Sequence, residues 1–348
     1  MAWPRTGKPR SKSTADSSAH RSGRAGGAIA PLRHGRSDVI SGSDVIGGTV
    51  KLIAGLDRRS RAAARGWSDM TIRNLFIIPT IAFLIIFNIF PLIYSLGYSF
   101  TDFRASVNDP VHWVGLQNYR DLLADLHIWR NLTVTAQYVI VSVGGQLFVG
   151  FGLAMLLNRP FPMKGLVTTL LLLPMMMSMA VVGLFWKLLY DPSWGPINYA
   201  LGLGSFEWLS NPDMALYAVA ITDIWMWAPF VMLLSLAGLS AVPKHLYEAA
   251  AIDRASSWYT FTRITLPLMA PILLIAIIFR TMEAFKTFDI AFIMSGQPTT
   301  EMISIRLYKM AFQEWQTGRS SALAYIVLIV VIAITNIYVK YLNKAKER

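Results

Sequence analysis

Long stretches without a charged residue recur along the chain after residue 73, and charged residues bracket each of them. Residues 74–101 and 131–158 each hold 28 uncharged positions, and 165–186 holds 22. A helix rises about 1.5 Å per residue, so about 20 mostly apolar residues cross a bilayer. A membrane barrel would instead show strands that alternate with a period of two. The spacing predicts six transmembrane helices, at about 75–98, 132–158, 166–190, 214–240, 264–288 and 320–341.

The fifth predicted span carries charged side chains at one end. Arg280, Glu283 and Lys286 lie within two helical turns of one another. Pairing among them, and extension of their stems towards the interface, would lower the cost of placing them in a span. We therefore expect Glu283, Lys286 and Asp289 to form a structural ion network near the outer end of this helix.

Residues 1–66 differ from the rest of the chain, because they are rich in Ser, Gly, Arg and Ala and have no sustained apolar periodicity. Such a segment cannot bury enough surface to offset the entropy lost on ordering. We expect a disordered, basic cytoplasmic tail, followed by a transmembrane domain at 67–348. Two other interpretations stay open for the tail: an organellar transit peptide and an upstream start codon.

The basic residues lie mostly on one side of this predicted topology. With six spans both termini share a side, and 23 of the 32 Lys and Arg lie there against six on the other side. Positive residues favour cytoplasmic loops, so we expect both termini in the cytoplasm and the chain in a bacterial inner membrane. The net charge of +12 is then mostly a topology signal, strengthened by attraction to anionic lipid. No folded basic module interleaved with aromatic residues appears, so nucleic-acid binding is not predicted.

Composition narrows the function classes further. The chain is 54% hydrophobic and only 15% charged, with a mean hydropathy of +0.45, which excludes a soluble two-domain enzyme. It has no Cys and five His, and it lacks the HExxH and GxSxG motifs. The sequence therefore offers no catalytic residue, metal site or cofactor site.

The loop between the fourth and fifth predicted spans, residues 241–267, is the most specific feature. Pro243 suits the first turn of a helix, where its missing N–H costs nothing. Leu246–Ala255 holds one Glu and four Ala among ten residues, which favours a helix. Glu248 and Asp253 offer charge-assisted contacts to a basic partner. The sequence predicts a short surface helix with an anionic middle, and a plain connecting loop is the alternative.

This loop resembles the EAA loop of ABC importer permeases, in which Glu-Ala-Ala is followed by Asp-Gly-Ala, an aromatic residue, Phe and Ile-x-Leu-Pro. We call residues 241–267 the EAA loop. Stretches at 114–119, 153–158 and 288–290 resemble the sugar and glycerol-phosphate branch, which includes the maltose-type permeases. The resemblance covers roughly residues 70–345. The matching positions in the loop are Glu248, Ala249, Ala250, Asp253, Ala255, Trp258, Phe261, Ile264, Leu266 and Pro267.

One position departs from the family pattern. Arg254 stands where the family has Gly, a residue that takes a positive φ without strain in the turn between two short helices. We expect Arg254 to be strained if that turn is kept, or to add a salt bridge to the ATPase.

The resemblance implies an all-α polytopic membrane protein with the type I ABC importer permease fold. It implies a transport subunit rather than an enzyme, with no cofactor of its own, because ATP and Mg are used by a separate ABC ATPase dimer. The other implied partners are a second homologous permease subunit, an extracytoplasmic solute-binding protein and membrane lipid. In such importers the EAA helix sits in a cleft of the ATPase, so the implied coupling residues are Glu248, Ala249, Ala250, Asp253, Arg254 and Ala255.

Ionisable residues inside spans are candidates for the substrate path, since each costs about 2.5–3.5 kcal/mol at the bilayer centre. Asp223 lies mid-span near Trp225 and Trp227, and a carboxylate beside aromatic faces suits the hydroxyls and C–H faces of a sugar or polyol. Glu283 is a further candidate. Alternatively, Asp223 pairs locally and the two Trp belong to an interfacial belt. An ion-gradient-driven secondary transporter acting alone, which would need internal repeats, and a membrane enzyme are the other function classes considered.

Overall fold

A computed structural model of the chain describes residues 68–106, 109–294 and 300–346. The chain divides into two units, Met1–Ile77 and Ile78–Arg348. Of the first unit the structure describes residues 68–77, where the first helix begins. The predicted tail at 1–66 lies outside the described residues.

The described residues are mainly helical, and the β-type pairing among them is an isolated bridge between Thr101 and Trp113. Short π-helical turns follow the first, tenth and thirteenth helices, at Ile85–Ile89, Phe261–Thr265 and Lys309–Gln313. In chain order the α-helices are α1 (Asp69–Leu84), α2 (Phe90–Ser99), α3 (Gln117–Ala124), α4 (Leu126–Leu157), α5 (Lys164–Met176), α6 (Met179–Leu189), α7 (Pro196–Leu201), α8 (Ala215–Ala241), α9 (Lys244–Ile252), α10 (Ser257–Thr260), α11 (Leu266–Phe285), α12 (Asp289–Met294), α13 (Ile303–Tyr308) and α14 (Thr317–Lys346).

Five helical stretches within the described residues are long and apolar enough to cross a membrane. The bent pair of α5 and α6 brings the number to six if it is one span. The expectation of an all-α chain with six apolar spans is therefore confirmed on that count. The five stretches are Met70–Ser99, Leu126–Leu157, Ala215–Ala241, Ser257–Phe285 and Thr317–Lys344.

The third predicted span, 166–190, is not one continuous helix, and the expectation is wrong in that detail. Pro174 has no N–H to donate to the carbonyl of Leu170, which weakens the helix at this turn. Met177 and Ser178 then take extended backbone angles, and the two halves are bent by 98°. The apolar run is long enough for one continuous span, so its hydrophobic pattern alone does not indicate the break.

The second half of this broken element, α6, packs against α12. A Cβ atom added at Gly183 would lie 3.3 Å from Ile293 and 3.4 Å from Ile290, so the two helices are closely packed at this glycine. The Lys187 ammonium donates to the backbone carbonyl of Ile293 at 3.2 Å. A cation beside the last carbonyls of a helix is favourable, so Lys187 helps to hold α6 and α12 together.

Helices α4 and α8 share the most extensive contact between helices in the described part of the chain, and two glycines let them approach closely. A Cβ atom at Gly145 would lie 2.3 Å from Ile224, and one at Gly150 would lie 2.5 Å from the Ala228 carbonyl oxygen. Membrane helices associate through such small residues, because lipid tails offer no hydrophobic drive for helices to pair.

We expect Gly150→Ala to destabilise the protein by about 1–3 kcal/mol, the usual cost of overpacking a tight contact. The new Cβ would also lie 2.7 Å from the Cβ of Val231, and neither that atom nor the Ala228 backbone can move without shifting α8. Gly152→Ala is the matched control, because a Cβ there has no heavy atom within 4 Å. Thermal unfolding of the purified protein, followed by circular dichroism, should show a lower midpoint for Gly150→Ala alone. Equal midpoints for the two variants would contradict the packing described here.

Candidate functional site: the EAA loop and a buried polar cluster

The EAA loop forms two short helices, α9 and α10, between the long helices α8 and α11. Helix α9 begins at Lys244, and Pro243 occupies the extended position just before it rather than the first turn. Helix α10 begins after Ser256, whose hydroxyl oxygen accepts a hydrogen bond from the Tyr259 N–H at 3.2 Å. This is the ordinary N-cap role of serine, and it fixes the start of the second helix.

The expected helix over Leu246–Ala255 ends early, at Ile252, because the chain turns at Arg254. Arg254 takes a φ of +52°, the left-handed conformation that glycine adopts freely. The Ala255 N–H donates to the Ala250 carbonyl at 2.9 Å and the Arg254 N–H to that of Ala251 at 3.2 Å, which is the Schellman pattern of a helix end. The turn is therefore kept despite the departure from Gly, and Asp253, Arg254 and Ala255 lie beyond α9 rather than on it.

The implied coupling residues differ in exposure. Glu248, Ala249, Asp253 and Arg254 are exposed, Ala255 is half-buried and Ala250 is buried. Neither carboxylate forms an ion pair with another described residue. The loop thus presents two unpaired acids and an exposed alanine on its outer surface, while Ala250 turns inward.

Apolar side chains extend this exposed surface. Ile252 is 81% exposed and Trp258 is 73% exposed in the single chain. Large apolar groups left in the open beside charges are typical of a protein-interaction surface. The opposite side of the loop is anchored: the ring of Phe261 lies 5.6 Å from Trp258 and 6.2 Å from Phe151 on α4, between ring centroids.

A second cluster lies deep between the long helices. We call Ser142, Gln146, Asp223 and Arg280 the buried polar cluster; they come from α4, α8 and α11. Asp223 and Arg280 are 1% and 3% exposed, and one guanidinium nitrogen of Arg280 lies 3.5 Å from Asp223 Oδ2. Ser142 donates its hydroxyl to the same carboxylate oxygen, and Gln146 donates to it at 2.7 Å.

Gln146 joins both charges of the buried polar cluster. Its amide nitrogen donates to Asp223, and its Oε1 accepts from Arg280 Nε at 2.7 Å. The guanidinium also lies 4.4 Å from the centre of the Trp227 ring, a cation–π contact. Removing one partner of such a buried pair costs about 3–5 kcal/mol, because the other charge is left uncompensated.

The structure separates the charges that sequence placed together at the end of the fifth span. Arg280 turns into the protein and pairs with Asp223, whereas Glu283 pairs with Lys286 at 2.7 Å on the exposed side. Asp289 forms no ion pair with another described residue and lies in the first turn of α12, where a negative charge is favourable. The expected three-residue network is therefore reduced to one pair, because Asp289 belongs to the separate helix α12 and does not join Glu283 and Lys286.

The four path candidates are not one site in this conformation. Asp223 and Trp227 meet through Arg280, as above. Trp225 lines an apolar cavity of about 470 Å³ between α4, α5, α6 and α8, with its ring 5.6 Å from that of Trp186. Glu283 is bound to Lys286 on the exposed side of α11. A solute would reach the Asp223 carboxylate only if the helices around it separated.

Sequence reasoning missed Ser142 and Gln146, although a signal was present. With Tyr138 they stand four residues apart along an otherwise apolar span, so the three polar side chains share one helix face. A polar stripe on one face of a membrane helix indicates a partner across the interface.

Among the described residues there is no group of three or more His, Asp or Glu placed to hold a metal ion.

Outside the spans, an ion pair and a hydrogen bond join α13 and its π-helical continuation to the start of α4. Glu301 lies 2.7 Å from the Lys309 ammonium and accepts from Asn131 Nδ2 at 3.2 Å. Burial alone would raise the pKa of Glu301, but the hydrogen bonds from Lys309 and Asn131 outweigh it and hold the pKa below its usual range. This region supports the start of α4, the end of that helix away from the EAA loop.

Comparison with known proteins agrees with this architecture. Residues 146–348 match the family of the binding-protein-dependent transport system inner membrane component. The trehalose/maltose transport system permease protein MalF of Thermococcus litoralis is 34% identical over 274 residues, covering 76% of this chain and 92% of that protein. The sulfoquinovosyl glycerol permease protein SmoG of Agrobacterium fabrum is 30% identical, covering 80% and 93%.

A solved structure shares the fold. One chain of a bacterial ABC transporter that imports the acidic polysaccharide alginate matches with a TM-score of 0.67 and 23% identity, covering 82% of this chain and 99% of that chain.

A further relative by sequence is the trehalose permease protein SugA of Mycobacterium tuberculosis, which is 30% identical, covering 82% of this chain and 93% of that protein.

These relatives are permease subunits of transport systems, so the interpretations as an enzyme or as an ion-gradient-driven transporter acting alone find no support. The expected resemblance to ABC importer permeases is confirmed. The chain belongs to the family of inner-membrane components of binding-protein-dependent transport systems.

Proposed function

We propose that this permease subunit forms half of the translocation path for a sugar or polyol, together with a second homologous permease subunit. The proposal of solute class draws on relatives that are named for trehalose, maltose and sulfoquinovosyl glycerol. The other proposed partners are a solute-binding protein outside the membrane, membrane lipid and an ABC ATPase dimer, which uses ATP and Mg. The subunit itself holds no cofactor in this proposal.

The observation that carries the proposal is the outer surface of the EAA loop. Glu248 and Asp253 are unpaired among the described residues, and they stand beside exposed Ala249 and Ile252. Small and apolar side chains let a partner approach closely, and the acids supply charge-assisted hydrogen bonds to basic groups. A cleft in the ATPase with a basic rim fits this surface, with α9 as the inserted element and Asp253, Arg254 and Ala255 as the turn beside it.

We further propose that the EAA loop and both termini lie in the cytoplasm. The support is the excess of Lys and Arg on that side of the six spans. An even number of crossings places the EAA loop, between the fourth and fifth spans, on the same side as the termini. Residues 1–66 would then extend from that face as a basic tail.

For the substrate path we propose Trp225 and Trp227, which point to different sides of α8, together with Glu283 near the outer end of α11. Aromatic faces stack on the C–H faces of sugars, and Trp225 lines the apolar cavity between α4, α5, α6 and α8. Asp223 belongs to the same stretch of helix, but its carboxylate is bonded to protein groups.

Glu248→Lys should lower ATPase activity that depends on the binding protein by about tenfold or more, because a like-charge contact at an interface costs more than the roughly 1.4 kcal/mol that tenfold represents. The measurement is ATP hydrolysis, and import of labelled trehalose and maltose, by proteoliposomes that hold both permeases, the ATPase and the binding protein. Glu207→Lys is the matched control, because it makes the same change on an exposed residue of the loop between the third and fourth spans. Equal activity of Glu248→Lys and Glu207→Lys would overturn the proposed coupling.

Arg254→Gly should stabilise the protein by about 1 kcal/mol, since it relieves a side chain held at positive φ. The expected result is a higher midpoint of thermal unfolding. Asp253→Gly is the control: its φ of −74° suits any residue, so Gly there brings no relief. A lower midpoint for Arg254→Gly would mean that the arginine side chain stabilises the turn by contacts that outweigh the strain.

A further inference from the structure

The buried polar cluster joins the two helices that the EAA loop also joins. Asp223 lies in the outer part of α8, and Arg280 lies near the outer end of α11. The EAA loop connects the other ends of the same two helices. Helices α8 and α11 therefore form a hairpin that is closed by the chain at one end and by an ion pair at the other.

The loop end of this hairpin is also tightly packed. A Cβ atom at Gly238 would lie 2.5 Å from Ile272 and 2.8 Å from Met269, so α8 and α11 touch closely there. The Tyr247 hydroxyl of α9 lies 3.1 Å from the Thr265 hydroxyl, just before α11. The first contact joins α8 to α11, and the second joins α9 to the turn that precedes α11.

The two fastenings are well separated along the hairpin. At about 1.5 Å per residue, Asp223 lies about 22 Å from Gly238 along α8, and Arg280 lies about 16 Å from Met269 along α11. If only the loop ends of α8 and α11 were in contact, the outer ends of the two helices could move apart. The ion pair removes that freedom, and Gln146 of α4 braces it through hydrogen bonds to both charges.

We propose that Asp223 and Arg280 form a clamp that makes α8 and α11 move as one rigid lever, so that displacement of the EAA loop by the ATPase reaches the outer half of the path. This inference rests on the proposed function. Asp223 is then a positioning residue that acts through Arg280, not a group that binds the solute. Its burial and its full set of protein partners support that role.

The charge balance of the cluster supports the same inference. A single buried charge could be met by a solute, but a carboxylate and a guanidinium already satisfy each other and need no third group. The Trp227 ring covers one face of the guanidinium, which further fixes its position. Opening the clamp would strand two charges among apolar helices, so the pair stays closed while the helices move together.

The test uses the absence of native cysteine in the chain. Spin labels on Tyr217→Cys of α8 and Phe279→Cys of α11, both exposed, report the distance between the outer ends of the helices by pulsed electron paramagnetic resonance. The assembled importer is measured without nucleotide and trapped with ATP and vanadate. The clamp predicts one narrow distance distribution, the same in both states.

Asp223→Asn should broaden this distribution and abolish the stimulation of ATPase activity by the binding protein. If that variant fails to fold because Arg280 is left unpaired, Asp223→Asn with Arg280→Gln keeps a polar side chain at each position and buries no charge, and the same two effects are expected. Lys286→Gln is the control, because it removes an ion pair confined to one helix end. It should change neither quantity.

Two results would overturn the clamp. One is a double variant with the wild-type distance distribution and wild-type stimulation. The other is a variant in which only the KM for trehalose or maltose import changes, which would assign Asp223 to solute binding. The distance measurement needs no solute and therefore tests the clamp independently of transport. A wild-type importer whose ATPase activity does not respond to the binding protein would contradict the proposed function, and the measured distances would still test the clamp.

Discussion

Hydrocarbon solvates neither a charge nor a backbone amide, and most of this structure follows from that constraint. Backbone groups are satisfied within helices, so the spans are helical. The pair of Asp223 and Arg280 meets the same constraint for side chains, since each charge finds its partner and further donors inside the protein. Because the partners come from different helices, satisfying the charges also fixes how α4, α8 and α11 pack.

The small residues on α4 and α8 serve this arrangement. Close approach at Gly145 and Gly150 brings Gln146 within reach of both charges. At the far end of α8, Gly238 lets the helix touch α11 beside the EAA loop. Packing and electrostatics therefore support the same hairpin, from the exposed acids of the EAA loop to the buried pair.

The sequence predicted the spans well because charge spacing reports directly on the cost of crossing a membrane. It predicted the EAA loop because that motif has fixed spacing, and it anticipated the strain at Arg254 from the φ that the turn needs. It missed the break at Met177, where a proline acts within an apolar run that looks continuous.

The partner of Asp223 was also missed, for a physical reason. Sequence neighbours suggested that Arg280 pairs with Glu283 and Lys286, but Arg280 pairs with Asp223 of α8, and Glu283 pairs with Lys286. Which charges meet is decided by contacts between helices distant in the chain. The polar stripe of Ser142 and Gln146 indicated that these side chains have a polar partner on another helix, but not which residue that partner is.

The most direct test determines which surface of the chain contacts the ATPase. A single cysteine placed at Ala249, in a chain that has none of its own, should cross-link to the ATPase subunit with a short thiol-reactive reagent, and the yield should change when ATP is added. The same reagent at Tyr199→Cys, which is 91% exposed on the loop between the third and fourth spans, should give no such product. A cross-link from Tyr199→Cys, with none from Ala249→Cys, would contradict both the coupling role of the EAA loop and the proposed orientation.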